Sequence, residues 1–159
     1  MTSPIPPAFS MPLRADPTRF ERLFGEAIHP AIASFVPFGR RLVVMREEPL
    51  RMYAGVIHIP ENAVEIPARG WVIAVGNSVG SPWDPGAPVL GIVPLSPVQL
   101  LGCKVLFGMY AGQALLTGDT GEDAYTSRYM ILDEGSVWGV VGAPPAEPLV
   151  DLPEAPNVR

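Results

Sequence analysis

The sequence predicts a mainly β fold: a small irregular barrel with an N-terminal helical extension and a Pro-rich C-terminal tail. Short apolar segments rich in β-branched residues recur after residue 40, each bounded by Gly, Asp or Pro. The 20 Pro and 16 Gly among 159 residues disfavour long helices. Hydrophobic residues make up 48% and charged residues 17%, which is enough apolar material for one packed core.

Residues 1–36 are predicted to be an extension that contains one short helix. Asp16 followed by Pro17 is a typical helix start, with a capping carboxylate and a proline at the first helical position. Pro30 is expected to end the helix. Its apolar stripe must dock on its own domain or on a neighbour, because these side chains recur at helical spacing: Phe20, Leu23, Phe24, Ala27 and Ile28.

Residues 37–142 are predicted to form the barrel. Several candidate strands are apolar throughout, so both of their faces should be covered, as in a closed barrel or a subunit interface. Connections 47–70 and 77–102 are too long for simple hairpins and are expected to be functional or disordered. Residues 143–159 are predicted to be a disordered, acidic, Pro-rich tail. The candidate strands are Arg41–Arg46, Trp71–Val75, Lys104–Phe107, Gln113–Thr117, Arg128–Leu132 and Val137–Val141.

Composition argues against several classes of function. The net charge of -5 disfavours nucleic-acid binding, which needs a concentrated basic surface. A single cysteine cannot form an intramolecular disulfide or a thiolate metal cage, so no metal or cofactor is expected. No apolar run reaches membrane-spanning length and no signal peptide is recognisable, so we expect a cytoplasmic protein without membrane contact.

No catalytic motif is present, and the sequence therefore argues against an enzyme. No local sequence motif supports a catalytic pair of Cys103 with His29 or His58. Cys103 is therefore interpreted as a small buried thiol. The adjacent carboxylates are interpreted as solvated turns. These pairs are Glu47-Glu48, Glu122-Asp123 and Asp133-Glu134.

The connection 47–70 has an unusual composition, since acidic, Pro and Gly residues flank the apolar centre Val56-Ile57-His58-Ile59. Branched apolar residues exposed on a loop favour association with a partner. A short apolar run is equally typical of one more barrel strand. From composition alone, a strand and a binding loop are equally supported.

Five segments, taken in order, resemble the GroES-type co-chaperonins of the chaperonin-10 family. PFGRRLVVMR at 37–46 is similar to the family's opening strand, and AGVIHIPE at 54–61 to its mobile loop. RGWVIAVG at 69–76 and LGCKVLF at 101–107 resemble two further strands. Residues 129–141 resemble the closing hairpin. The order of the segments makes the match specific, although each is weak alone.

The resemblance implies a small GroES-like barrel assembled as a homo-heptamer. Such a ring caps an ATP-bound GroEL-type chaperonin through mobile loops, here 47–70, and encloses client proteins; residues 77–102 would be the roof. The resemblance also implies a role for particular residues. Chaperonin binding is expected at Val56, Ile57, His58 and Ile59, loop hinges at Gly55, Pro60 and Gly70, and subunit contacts at Leu42, Val44, Val137 and Val140.

The sequence departs from the family in its added segments 1–36 and 143–159, in its Pro-rich roof, and in His58, where an apolar residue is usual. Added segments would suit a virus-encoded member acting in the host cytoplasm. A structural β-barrel assembly protein, for example a capsid-associated one, is an alternative that would have no chaperonin partner. A fragment of a zinc alcohol dehydrogenase also contains a GroES-like barrel, but one Cys and two His supply too few ligands.

Overall fold

The computed structural model describes residues 12–48, 52–53, 55, 57–58, 60, 68–79, 97–108, 110–119, 127–142 and 145–151. Its helices are short, the longest spanning 8 residues, so none in this part of the chain could cross a bilayer. The helices are α1 (Pro17–Phe24), α2 (Pro30–Ala33) and α3 (Pro97–Leu100). The strands are β1 (Leu13–Arg14), β2 (Arg41–Arg46), β3 (Met52–Tyr53), β4 (Ile57–His58), β5 (Arg69–Val75), β6 (Lys104–Phe107), β7 (Gln113–Leu115), β8 (Tyr129–Asp133) and β9 (Val137–Val141).

One antiparallel sheet carries the fold. Within the described residues its strands follow the order β7-β8-β2-β5-β6-β9, and β1 pairs with β5 beside this path. Register shifts interrupt β2 between Val43 and Val44 and β6 between Leu106 and Phe107. Such bulges bend and twist strands, which is what a small barrel requires. The predicted mainly β fold of small-barrel type is confirmed.

Strand β2 lies at the centre of the sheet, paired with β5 on one side and β8 on the other. Leu42 and Val44 are fully buried there, each 0% exposed. The prediction that they contact a neighbouring subunit is therefore wrong, because neither their side chains nor the edges of their strand face outward. An apolar interior strand and an apolar interface strand have the same local pattern, so the sequence alone does not distinguish them.

Gly70 lies inside β5, so its predicted role as a loop hinge is also wrong. A Cβ at this position would lie 2.3 Å from the backbone oxygen of Met45 and 2.6 Å from Cγ1 of Val44. Glycine is required here because the backbones of β2 and β5 approach closely. Strand β5 begins at Arg69, two residues before the predicted start at Trp71.

Helix α1 begins as predicted, with Oδ1 of Asp16 accepting hydrogen bonds from the amides of Thr18 (2.9 Å) and Arg19 (3.1 Å). The helix ends at Phe24, before the expected stop at Pro30. Gly25 adopts a left-handed conformation (φ 72°), and its amide donates to the carbonyl oxygen of Glu21. A glycine cap of this kind stops a helix without help from proline.

The N-terminal extension docks on its own barrel. Strand β1 pairs with the end of β5, placing Leu13 opposite Val75. Phe20 is fully buried, and the ring of Phe24 lies 6.1 Å from that of Trp71. The extension thus covers β5, which explains why this strand is apolar on both faces.

Residues 145–151 are ordered and packed, so the prediction of a disordered tail is wrong for this segment. Leu149 is 0% exposed and lies against Gly102, whose hypothetical Cβ would be 2.7 Å from Cδ1 of Leu149. The remaining residues predicted to be disordered, 143–144 and 152–159, lie outside the described part. Of the predicted roof 77–102, the structure describes 77–79 and 97–102.

Candidate functional site

Strands β3 and β4 form a hairpin separate from the main sheet. Their register places Met52 opposite His58 and Tyr53 opposite Ile57. Gly55 lies between them with φ 74°, a left-handed conformation that glycine adopts without strain. The sequence left a strand and a binding loop equally supported, and the structure shows two short strands that pair with each other in a sheet of their own.

The hairpin presents apolar surface to solvent. Ile57 is 59% exposed, and His58, Gly55 and Pro60 are also exposed. The other two residues predicted to bind a partner, Val56 and Ile59, lie outside the described part of the chain. An exposed isoleucine on a short hairpin is a feature of association surfaces, since its burial against a partner is favourable.

Glu47 joins the two ends of the segment that carries the hairpin. Its amide donates to the carbonyl oxygen of Arg69 at 3.0 Å. Its carboxylate is 3.2 Å from Nη2 of Arg69 and also binds the ammonium of Lys104. Lys104 in turn lies 5.4 Å from the centroid of the Trp71 ring. Glu47 is only 18% exposed, so its interpretation as part of a solvated turn is wrong.

Arg128, the residue before β8, supports the same region. Its Nε donates to the carbonyl oxygen of Arg46 at 2.9 Å, and the amide of Arg46 donates to the carbonyl oxygen of Arg128 at 2.6 Å. Nη1 of Arg128 is 3.3 Å from Oε1 of Glu48. The chain therefore leaves β2 between two charged clusters, one built on Glu47 and one on Arg128. Neither cluster was predicted from the sequence. Its opposite charges are close together in the fold but far apart along the chain, so they leave no local sequence pattern.

A second carboxylate also differs from its interpretation as a solvated turn. Glu134 is buried, with its side chain 3% exposed, and Oε2 accepts from Nη1 of Arg40 at 3.1 Å. Partly buried arginine–carboxylate contacts of this kind fix geometry more than they add stability. The pair fastens the turn before β9 to the residue before β2.

Strand β9 is an end strand of the sheet and pairs with β6 in the described structure. Trp138 is 72% exposed and Val141 is 37% exposed, while Val137 and Val140 are partly buried against the core. An end strand with apolar side chains favours pairing with another chain. The predicted interface residues Val137 and Val140 thus lie on one of the two strands that end the described sheet.

Cys103 has the surroundings of a packing residue. It is fully buried, and its thiol donates to the carbonyl oxygen of Gln99 at 3.1 Å. Burial raises the pKa of the Cys103 thiol and so disfavours the reactive thiolate. Among the described residues, no three His, Cys, Asp or Glu side chains are grouped so as to hold a metal ion.

The family described as "Chaperonin 10 Kd subunit" matches residues 34–141, more than half of the chain. This chain belongs to the chaperonin-10 family. The match contains the sheet strands β2 and β5–β9. It also contains the β3–β4 hairpin, which lies between β2 and β5 along the chain. It excludes β1, α1, α2 and residues 145–151, so the packed extension and tail are additions to the family domain.

Several proteins similar to this chain are named as co-chaperonins. The co-chaperonin GroES of Geobacter sp. (strain M21) is 40% identical over 106 residues, which is 66% of this chain and 94% of the relative. The co-chaperonin GroES 2 of Rhodopirellula baltica is 37% identical over 106 residues, covering 66% of this chain and 97% of the relative. GroES of Coxiella burnetii is also 37% identical over 106 residues, with 66% and 94% covered. The chaperonin-10 domain thus supports a co-chaperone function for this chain.

Proposed function

We propose that this protein is the lid of a GroEL-type chaperonin: a ring that binds the ATP-bound cylinder and encloses folding clients. The observation that supports this most directly is Ile57, exposed on a hairpin that is separate from the main sheet of a chaperonin-10 domain. The segment AGVIHIPE at 54–61, which includes β4 of the hairpin, resembles the family's mobile loop. The lid would act in the cytoplasm, bind no nucleic acid and carry out no chemistry of its own.

The energetics of one hairpin favour a reversible contact. Burial of one isoleucine contributes about 1.5–3 kcal/mol. Fixing the backbone of the surrounding residues costs about 1–2 kcal/mol each, so most of that gain is offset. Several weak contacts on one ring raise the effective concentration of every further contact. A ring of hairpins can therefore bind the chaperonin tightly and still release it. The resemblance to the family implies that this ring is a homo-heptamer.

We propose that the ring closes through β9. Its outer edge and the exposed side chains of Trp138 and Val141 offer backbone and apolar contacts to a second copy. Strand β2 is interior, so the partner segment must be another one. Residues 34–38 suit this role, because they precede β2 without belonging to a strand and Phe38 is 69% exposed.

The proposal is tested by gel filtration of the purified protein with a GroEL-type chaperonin, with and without ATP. We expect comigration with the chaperonin only when ATP is present. A ring that never comigrates would overturn the proposal and favour a structural assembly protein instead. Comigration that is the same with and without ATP would also contradict the proposed lid function.

A further inference from the structure

Arg128, the residue before β8, also contacts the N-terminal extension. Its two terminal nitrogens bind the two carboxylate oxygens of Glu26, with Nη2 3.2 Å from Oε2. The same guanidinium also donates to the carbonyl oxygen of Arg46 and to the carboxylate of Glu48. One side chain thus links the extension to the point where the chain leaves β2 for the hairpin.

Local structure places Glu26 at this point. The left-handed Gly25 ends α1 and turns the chain, so that Glu26 follows directly. Two residues later Ile28 is buried at 7% exposure. The amide of His29 then donates to the hydroxyl of Tyr129 at 2.9 Å. The extension therefore binds two successive residues of the barrel, 128 and 129, through contacts that fix its position.

The geometry favours orientation over stability. Arg128 is 25% exposed and Glu26 36% exposed, so solvent weakens their attraction and limits its contribution to overall stability. A two-pronged arginine–carboxylate contact nevertheless restricts the direction of both groups. Because the Nε of Arg128 is committed to Arg46, holding the guanidinium in one orientation also holds the last residue of β2 and Glu48.

We infer that Glu26 is a positioning residue for chaperonin binding: the added N-terminal extension acts through Arg128 to fix residues 46–48, the root of the hairpin. This rests on the proposed lid function. A fixed root reduces the number of conformations the hairpin samples before it binds, which lowers the entropic cost of binding. Glu26 lies outside the family match, whereas Arg46, Glu48 and Arg128 lie inside it. The extension therefore orients a binding hairpin that belongs to the family domain.

The test measures dissociation of the full-length ring from the ATP-bound chaperonin, using E26Q and a matched control, E21Q. Glu21 is exposed on α1, so both changes remove one negative charge from the same extension. We expect E26Q to dissociate roughly fivefold faster or more, because a small loss at each hairpin is multiplied around the ring. Ring size in sedimentation and melting temperature should stay close to those of the unmodified protein, and E21Q should dissociate normally.

A double-mutant cycle with R128Q shows whether Glu26 acts through Arg128. We expect R128Q to dissociate faster and E26Q to add nothing in that background. If R128Q fails to assemble, R128K replaces it, since lysine keeps the charge and loses the two-pronged contact. Normal dissociation of E26Q, or an E26Q effect that persists without Arg128, would overturn the inference and leave the lid function standing. Failure of the unmodified ring to bind would overturn both.

Discussion

The amide of Asp16 donates to the carbonyl oxygen of Leu149 at 2.7 Å, which joins the two ends of the described chain. Two ion pairs flank this bond, Arg19 with Asp151 and Arg22 with Glu147, the second at 2.6 Å. The N-terminal extension and the C-terminal segment 145–151 are therefore one structural unit. This unit lies outside the chaperonin-10 match and covers the barrel at β5.

Leu149→Ala should destabilise the protein by about 2–5 kcal/mol, because it leaves a cavity beneath the unit that joins the two ends. Denaturant unfolding measures this loss. Asp151→Asn is the control: its carboxylate is 90% exposed, so the change should cost at most about 1 kcal/mol. Equal effects of the two substitutions would mean that Leu149 does not anchor the tail.

Ile57→Asp should abolish binding to the ATP-bound chaperonin while the ring remains assembled. The change removes about 1.5–3 kcal/mol of apolar burial from each hairpin and adds the cost of desolvating a carboxylate. Titration of chaperonin ATPase activity with the variant ring measures the loss. Leu116→Asp is the control, since Leu116 is similarly exposed (55%) on another part of the described surface. If the Ile57→Asp ring changes the chaperonin ATPase activity as the unmodified ring does, the hairpin is not the binding element.

Trp138→Glu should dissociate the ring into smaller species, because it places a charge on the exposed apolar side chain of the end strand β9. Sedimentation velocity gives the size distribution, and circular dichroism should show an unchanged fold. Leu116→Glu adds the same charge away from β9 and should leave the ring intact. A Trp138 variant that sediments as a full ring would show that β9 does not form the subunit contact.

Gly70→Ala should cost about 3 kcal/mol or more, at the upper end of overpacking effects, because the new methyl would meet backbone as well as side chain. Gly135→Ala is the control, as its hypothetical Cβ has no atom within 4 Å. Thermal unfolding compares the two. If Gly70→Ala melts like the unmodified protein, β2 and β5 are not as close as the structure places them.

Much of the fold follows from local sequence. The predicted bounds of β2, β6 and β9 agree with the structure residue for residue, because short β-branched runs between turn-forming residues define strands locally. The start of α1 was equally predictable from Asp16 and Pro17. The exposed hairpin was predictable as an alternative, since the apolar run around Ile57 suited both a strand and a binding loop.

The rest depends on contacts between distant segments. The apolar run of β5 indicated that both faces are covered, but nothing in it names β1 or Phe24 as the segments that contact it. For the same reason the local pattern of Leu42 and Val44 indicates an interface, although both residues lie in the core. The partners of Arg128 come from two separate stretches of sequence, residue 26 and residues 46–48, so only the folded chain brings Glu26 to the root of the hairpin.

The bond between Asp16 and Leu149 also sets an order of events during synthesis. A ribosome releases the N-terminal extension first, yet the acceptor for the Asp16 amide is among the last described residues to emerge. The residue that caps α1 therefore lacks this partner until translation has passed residue 149. Joining of the two ends is a late step, and a chain stalled before residue 149 would leave the extension without its C-terminal contacts.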